Sequence, residues 1–417
     1  MTDPKSTDVV DSLSTDPVNP AVGEDIEDVT GTGGRPAIIA DATTGHGTVP
    51  VQTRNERFAS VDVADFPAVT GREAVWKLTP VADLKPLIDG DLDGSRYEAA
   101  TTVDGGAEVS WVGRDDDRIG TAGIPEDRAA ANAWSSFDEA MLIRLTSEEG
   151  GTVTVRRSDL GDAPRAAHTI VDVARFARGV VVLDNAGSAA LAENVEIRVA
   201  DGADVTVVSV QDWADGATHV ANHFAQVGRD ARLKHVVVSF GGDVVRVNPS
   251  VTLAGTGADG ELLGVYFADA GQHLESQVFL FHQGDHTKGR VEYRGALQGE
   301  GAHTVWVGDV LIGPDATGTD SYEQNRNLVL SDGTRADSIP NLEIETGDIA
   351  GAGHASATGR FDDEQLFYLQ ARGIPEDQAR RLVVRGFLSS IVQKIGVPDL
   401  EQRLQDAIEA ELAGARS

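Results

Sequence analysis

Gly202-Ala203-Asp204 before VTVVSV (205–210), Gly228-Arg229-Asp230 before ARLKHVVVSF (231–240), Gly257-Ala258-Asp259 before GELLGVYF (260–267) and Gly284-Asp285 before HTKGRVEYRG (286–295) decide the fold. Their leading glycines stand 26, 29 and 27 residues apart. Short Val-rich runs, each entered through a turn and recurring at this interval, are what a β-solenoid requires, because each coil buries its faces against its neighbours. An antiparallel sandwich also has frequent turns. The period, together with only 5% aromatic residues, favours the solenoid. The β signal extends outward from these runs over about 141 to 349, taking in 152–155 and 180–183.

Both ends read differently. Residues 1–50 hold nine acidic and two basic side chains and no Phe, Trp or Tyr. They lack the apolar surface that offsets ordering, so a disordered acidic tail is expected. Residues 51–140 read as an N-terminal mixed region in which Phe58, Phe66 and Trp76 arrive with Pro67 and Gly71 as punctuation. There Pro125-Glu126-Asp127 is expected to open a helix running toward Ala140. The parallel β-helix core is placed at 141–358 and a C-terminal helical domain at 359–417. In that domain Asp362 and Gln365 resemble a capping box, and Gly373 suits a helix C′ position. A second helix opens at Pro375-Glu376-Asp377, with Ala379, Leu382, Val383, Phe387, Ile391 and Ile395 recurring every three or four residues. A third opens at Pro398 with Leu400, Leu404, Ile408 and Leu412 along one side. Val384, Leu388 and Val392 lie off the main stripe of the second helix, so a partner surface is expected to cover them.

Composition narrows the function. The 417 residues carry 35 Lys and Arg against 67 Asp and Glu, a net charge of −32. Such a chain repels phosphate backbones, so no nucleic-acid partner is expected. The acid is spread along the chain, as suits solubility in a crowded or salty cytoplasm. The first residues lack the basic and apolar regions of a signal peptide, and no run is long enough to span a bilayer. A cytoplasmic protein without stable membrane insertion is expected. With no cysteine, this chain alone supplies no disulfide, thiolate zinc site, cysteine nucleophile or thiolate-held cluster.

Several motifs offer chemistry. The run 255–260 matches GxGxxG, but a strand-like ELLGVYF follows it where a dinucleotide site needs a helix, so a solenoid turn is the better reading. GK[ST] does not occur, so any ATP used must be bound by another subunit. His219 with His223 and His282 with His286 form HxxxH pairs. Val220 and Gln283 stand where a zinc protease has Glu, which excludes that enzyme. On a strand, i and i+4 share a face, so a metal pair is possible beside the reading as satisfied turn or surface histidines. Asp315, Asp320, Glu323, Asp332, Glu343, Glu345 and Asp348 could serve a β-helix lyase or glycosidase, and they suit solvated turns equally well.

The stretch SYEQNRNLVLSD (321–332), with PNLEI (340–344), the Gly-His354 segment and DEQLFYL (363–369) ending at Arg372-Gly373-Ile374, resembles the SufB/SufD family of iron-sulfur cluster assembly proteins. The resemblance is close over 320–374 and looser over roughly 54–412. It implies a right-handed parallel β-helix flanked by an N-terminal region and a C-terminal helical domain. It also implies a SufB-SufD heterodimer carrying two copies of SufC, an ABC-type ATPase, which accounts for the missing Walker loop. SufB-like chains have a cysteine two residues before the motif histidine. Here that position is Ala352, while His354 is retained, so the chain resembles SufD more than SufB. Many SufD-like chains keep that cysteine too, so Ala352 is a departure.

The resemblance thus implies a non-catalytic scaffold, with a β-helix carbohydrate-active enzyme as the alternative. His354 is its expected metal ligand, given to a transient iron-sulfur cluster shared with a SufB-like paralogue at the heterodimer interface. A flavin is possible at the level of the complex. The SufC-like ATPase is expected to dock through the C-terminal helices. The chain alone is expected to form a homodimer through a sheet edge within 284–344.

Overall fold

The computed structural model describes residues 57–360 and 363–412, so the tail expected over 1–50 and the capping box at Asp362 lie outside the described residues. Among the described residues, eighteen strands make two nine-stranded sheets. The first sheet runs β1 (Ala100–Gly105), β4 (Gly151–Arg157), β6 (Arg178–Gly187), β8 (Asp204–Trp213), β10 (Arg232–Ser239), β12 (Asp259–Ala268), β14 (Lys288–Leu297), β16 (Thr319–Val329), β18 (Ile349–Arg360). The second runs β2 (Ala107–Gly113), β3 (Glu139–Leu145), β5 (Gly161–Val173), β7 (Ala189–Val199), β9 (Thr218–Val227), β11 (Val244–Leu253), β13 (His273–His282), β15 (His303–Ile312), β17 (Arg335–Ile344). The chain crosses from one sheet to the other and pairs in parallel with the coil before it, which is a parallel β-solenoid. Antiparallel pairing of β1 with β4 and of β2 with β3 closes the N-terminal end.

The Val-rich texture follows from burial on both faces. In β8, Val205 and Val207 join the core between the sheets, while Val208 and Val210 join a second cluster on the outer face. A strand covered on both sides reads as a near-continuous apolar run rather than an alternating one.

In six successive coils one corner turns through a residue at positive φ: Phe176 (62°), Gly202 (69°), Asp230 (52°), Gly257 (73°), His286 (53°) and Gly318 (67°). Backbone hydrogen bonds link successive corners, as Gly202 N–H donates to Arg229 C=O (2.8 Å) and His286 N–H to Thr317 C=O (2.7 Å). A larger residue and a glycine alternate because the corners stack. A Cβ on Gly202 would lie 2.4 Å from the Phe176 ring, and one on Gly318 would lie 2.2 Å from His286 Nδ1. Gly228 and Gly284, the glycines that mark the repeat in the sequence, are not the corner residues; Asp230 and His286 are.

Helices before and after the coils cover the solenoid's two outer faces. On the second sheet, α1 (Val81–Asp89) and α2 (Arg128–Ser136) press Leu84, Leu87, Ile88 and Trp134 against Ile170, Ala192, Val220 and Val244. The helix expected from Pro125 toward Ala140 is shorter. Asp127 is its N-cap, accepting from Ala130 N–H (2.8 Å), and the chain is already extended at Phe137 before entering β3. On the first sheet, α4 (Glu376–Val392) and α5 (Pro398–Leu412), which follow α3 (Asp363–Gln370), bury Val384, Leu388, Ile391, Leu404 and Ile408 against Val208, Val236, Val238 and Phe267. Val384, Leu388 and Val392 therefore need no partner: the protein's own sheet covers them, because α4 lies flat on it. No helix among the described residues is long and apolar enough to cross a membrane.

Candidate functional site

The last strand of each sheet, β17 and β18, pairs on one side only, so the solenoid interior opens there. Along β16, Ser321, Glu323, Asn325 and Asn327 alternate inward. Their register partners on β18 are Ala352, His354, Ser356 and Thr358. His354 thus sits at the mouth, its side chain 45% exposed, with Nδ1 3.8 Å from the fully buried Oε1 of Glu323. Ala352 shares that face two residues earlier, about 7 Å along the strand, and packs against the interior core. The position where the resemblance has cysteine and the motif histidine therefore open onto one space.

A polar network fixes the walls of this mouth. The Tyr266 hydroxyl donates to Asn327 Oδ1 (2.5 Å), and Asn325 Nδ2 donates to the Tyr266 oxygen (2.8 Å). Asn327 Nδ2 donates to Asn325 Oδ1 and to Ser338 Oγ of β17, both at 2.9 Å. Behind Ala352, Ser321 Oγ lies 3.0 Å from His282 Nε2, whose ring is held at Nδ1 by Thr287 Oγ1 (2.8 Å). Buried amides and hydroxyls satisfied in this way rigidify the strands they join.

The HxxxH pairs do not form metal sites. His219 and His223 both point into the solenoid, but His219 Nε2 meets Glu193 (2.9 Å), whereas His223 Nδ1 meets His235 Nε2 (2.8 Å). Burial drives His223 and His282 down to about 4 and His235 well below 6.5, so all three are neutral at pH 7. Burial raises the Glu193 carboxyl, but Arg157 (2.8 Å) and His219 outweigh it and keep it ionised. His282 is interior, whereas His286 is a solenoid corner. Among the described residues, no three His, Asp or Glu side chains group closely enough to hold a metal ion.

The glycine-rich run 255–260 makes the turn after β11 and enters β12 at Asp259. The acidic residues do not converge either. Asp320 faces outward to Arg290 (2.5 Å), Asp332 pairs with Arg360 (2.9 Å), and Glu323 faces inward. Glu323 beside His354 was missed as a pair in the sequence, although both lie in stretches the resemblance quotes. Aligning one coil on the next would have found it.

Residues 156–387 match the family model described as SUF system FeS cluster assembly, SufBD core domain. The chain is similar to the iron-sulfur cluster assembly SufBD family protein Rv1462 of Mycobacterium tuberculosis, 50% identical over 370 residues, which are 86% of this chain and 93% of that protein. The protein ML0594 of Mycobacterium leprae, with the same family description, is 50% identical over 365 residues, 85% of this chain and 93% of its own. A second M. tuberculosis member, Rv1461, is 28% identical over 221 residues, 53% of this chain and 26% of that protein. With the solenoid and its open end agreeing with a match over more than half its length, the chain belongs to the SufBD family of iron-sulfur cluster assembly proteins.

Proposed function

We propose that this chain is the SufD-like, non-catalytic scaffold subunit of an ATP-driven cytoplasmic complex for iron-sulfur cluster assembly. In this reading it pairs with a SufB-like paralogue and gives His354 to a cluster held transiently between the two chains. The observation that carries the reading is His354 itself, half exposed at the open end of the solenoid and backed by Glu323. A neutral imidazole ligates iron without a thiolate. Every thiolate must then come from the partner, since this chain has no cysteine.

Pairing through the open end agrees with the strand order. Within 284–344, β14, β15 and β16 already pair on both sides, so the edge available to a paralogue narrows to β17 and β18. Their outer N–H and C=O groups can continue both sheets. That M. tuberculosis carries two SufBD family proteins, related to this chain to different degrees, supports a two-chain partnership. The C-terminal helices keep an outward surface for an ATPase, where Phe367, Tyr368 and Leu382 are exposed.

Native mass spectrometry tests the pairing. Alone, the chain should run as a homodimer, and adding a SufB-like chain should convert it to heterodimer. Two species that stay unmixed would contradict the reading.

A further inference from the structure

The outer face of the second sheet carries a different histidine arrangement. His273 and His303 open β13 and β15 and are register partners. Their Nδ1 atoms are 3.0 Å apart. On the far side of each ring, His273 Nε2 lies 3.0 Å from Glu275 Oε2 and His303 Nε2 lies 2.8 Å from Asp337 Oδ2. Both carboxylates are ion-paired, Glu275 with Arg246 (3.0 Å) and Asp337 with Arg335 (2.7 Å), and Glu275 also accepts from the Thr79 hydroxyl (2.8 Å).

An ionised carboxylate can only accept, so each Nε2 carries its ring's proton. Each Nδ1 is thus the ring nitrogen that no carboxylate holds, and the two face one gap 3.0 Å wide. Two nitrogens about 2.1 Å from one metal ion and about a right angle apart stand about 3.0 Å from each other. A carboxylate on the remote nitrogen is the usual orienting partner of a metal-bound imidazole.

We propose that His273 and His303 bind a six-coordinate divalent first-row transition ion, of the Fe2+ or Co2+ kind, through their Nδ1 atoms, with water completing the coordination. Imidazole donors select such ions over Mg2+ and Ca2+, which require oxygen ligands. The His303 side chain is 19% exposed, which gives the ion a way in. Asp243, close to His273 and with Asp83 and Asp215 beside it, adds negative potential on that side. Two protein ligands make an exchangeable site rather than a closed structural one. It lies on the outer face, apart from His354, and does not rest on the scaffold reading.

The test uses the full-length protein carrying His354→Ala, so that the mouth contributes nothing, titrated with Co2+ and followed by visible absorption and calorimetry. One Co2+ per chain is expected, undisturbed by excess Mg2+. The affinity should fall at least about tenfold in His303→Ala, and about tenfold in Asp337→Asn, which keeps both rings. Thermal melts check that each variant is folded. Absence of Co2+ binding, or binding unchanged in both variants, would overturn the site and assign the gap to a shared proton. Neither result touches cluster assembly, because the readout is metal uptake by this chain alone.

Discussion

Histidine 354 could be singled out from its sequence motif, but its neighbour could not, because the contact with Glu323 depends on which residue of β16 lies beside which residue of β18. The same limit applies to His219 and His223, where spacing suggests one shared site and burial gives each ring its own partner. Buried neutral histidines have a measurable consequence. An unfolded imidazole titrates near 6.5, whereas burial holds His223 and His282 at about 4 and His235 well below its ordinary value. Between these limits the unfolded chain binds more protons than the folded one. Stability should therefore be fully present above about pH 6.5 and fall toward pH 4, by at most roughly 1.4 kcal/mol per pH unit for each such histidine. Glu193 and Glu275, whose folded pKa values are lowered, add their own loss only below about pH 4.5. Denaturant melts at pH 7.5, 6 and 5 measure the effect, and a flat profile would mean that the rings are not buried neutral.

Solenoid corners set the limit of sequence reading at the scale of elements. The period was legible because every coil needs a turn. Its phase was not, since along one corner row three of six left-handed positions are Phe176, Asp230 and His286 rather than glycine. Replacing Gly318 with Ala places a Cβ against the His286 ring at φ 67°, with an expected loss on the order of 1–3 kcal/mol. Gly216→Ala, at φ 82° with open space around it, should lose less. Equal losses in thermal melts would remove corner stacking from the explanation. The terminal helices were legible as helices from their apolar spacing, but not what they cover, since an apolar stripe does not identify its partner. Because α4 and α5 shield Val208, Val236, Val238 and Phe267, deleting 363–417 should expose these residues and make the solenoid aggregate and bind a hydrophobic dye. A soluble, dye-silent truncation would show that the cover is dispensable. ATPase docking is accordingly better probed by substitutions at the exposed Phe367, Tyr368 and Leu382 than by removing the helices.

Among the described residues the molecule is a stack of coils closed by antiparallel strands at one end, covered on both outer faces by its own helices, and open at β17 and β18. Solenoid class, acidity and lack of cysteine were readable from composition and period. That Ala352 and His354 share the open mouth with Glu323 required the three-dimensional register. In the function proposed here the mouth is a half-site, completed by a partner that brings the thiolates. Its most direct test is His354→Ala in a strain lacking the native subunit, scored by the activity of an iron-sulfur enzyme, with recovery of the intact complex checked in parallel. A half-exposed side chain at a strand edge should be removable at little cost in stability. The expected result is a complex that assembles normally and an enzyme activity that falls sharply, while His286→Ala, at a solenoid corner rather than the mouth, has a much smaller effect. Full activity with His354→Ala would contradict the account and leave this subunit as a brace for its partner.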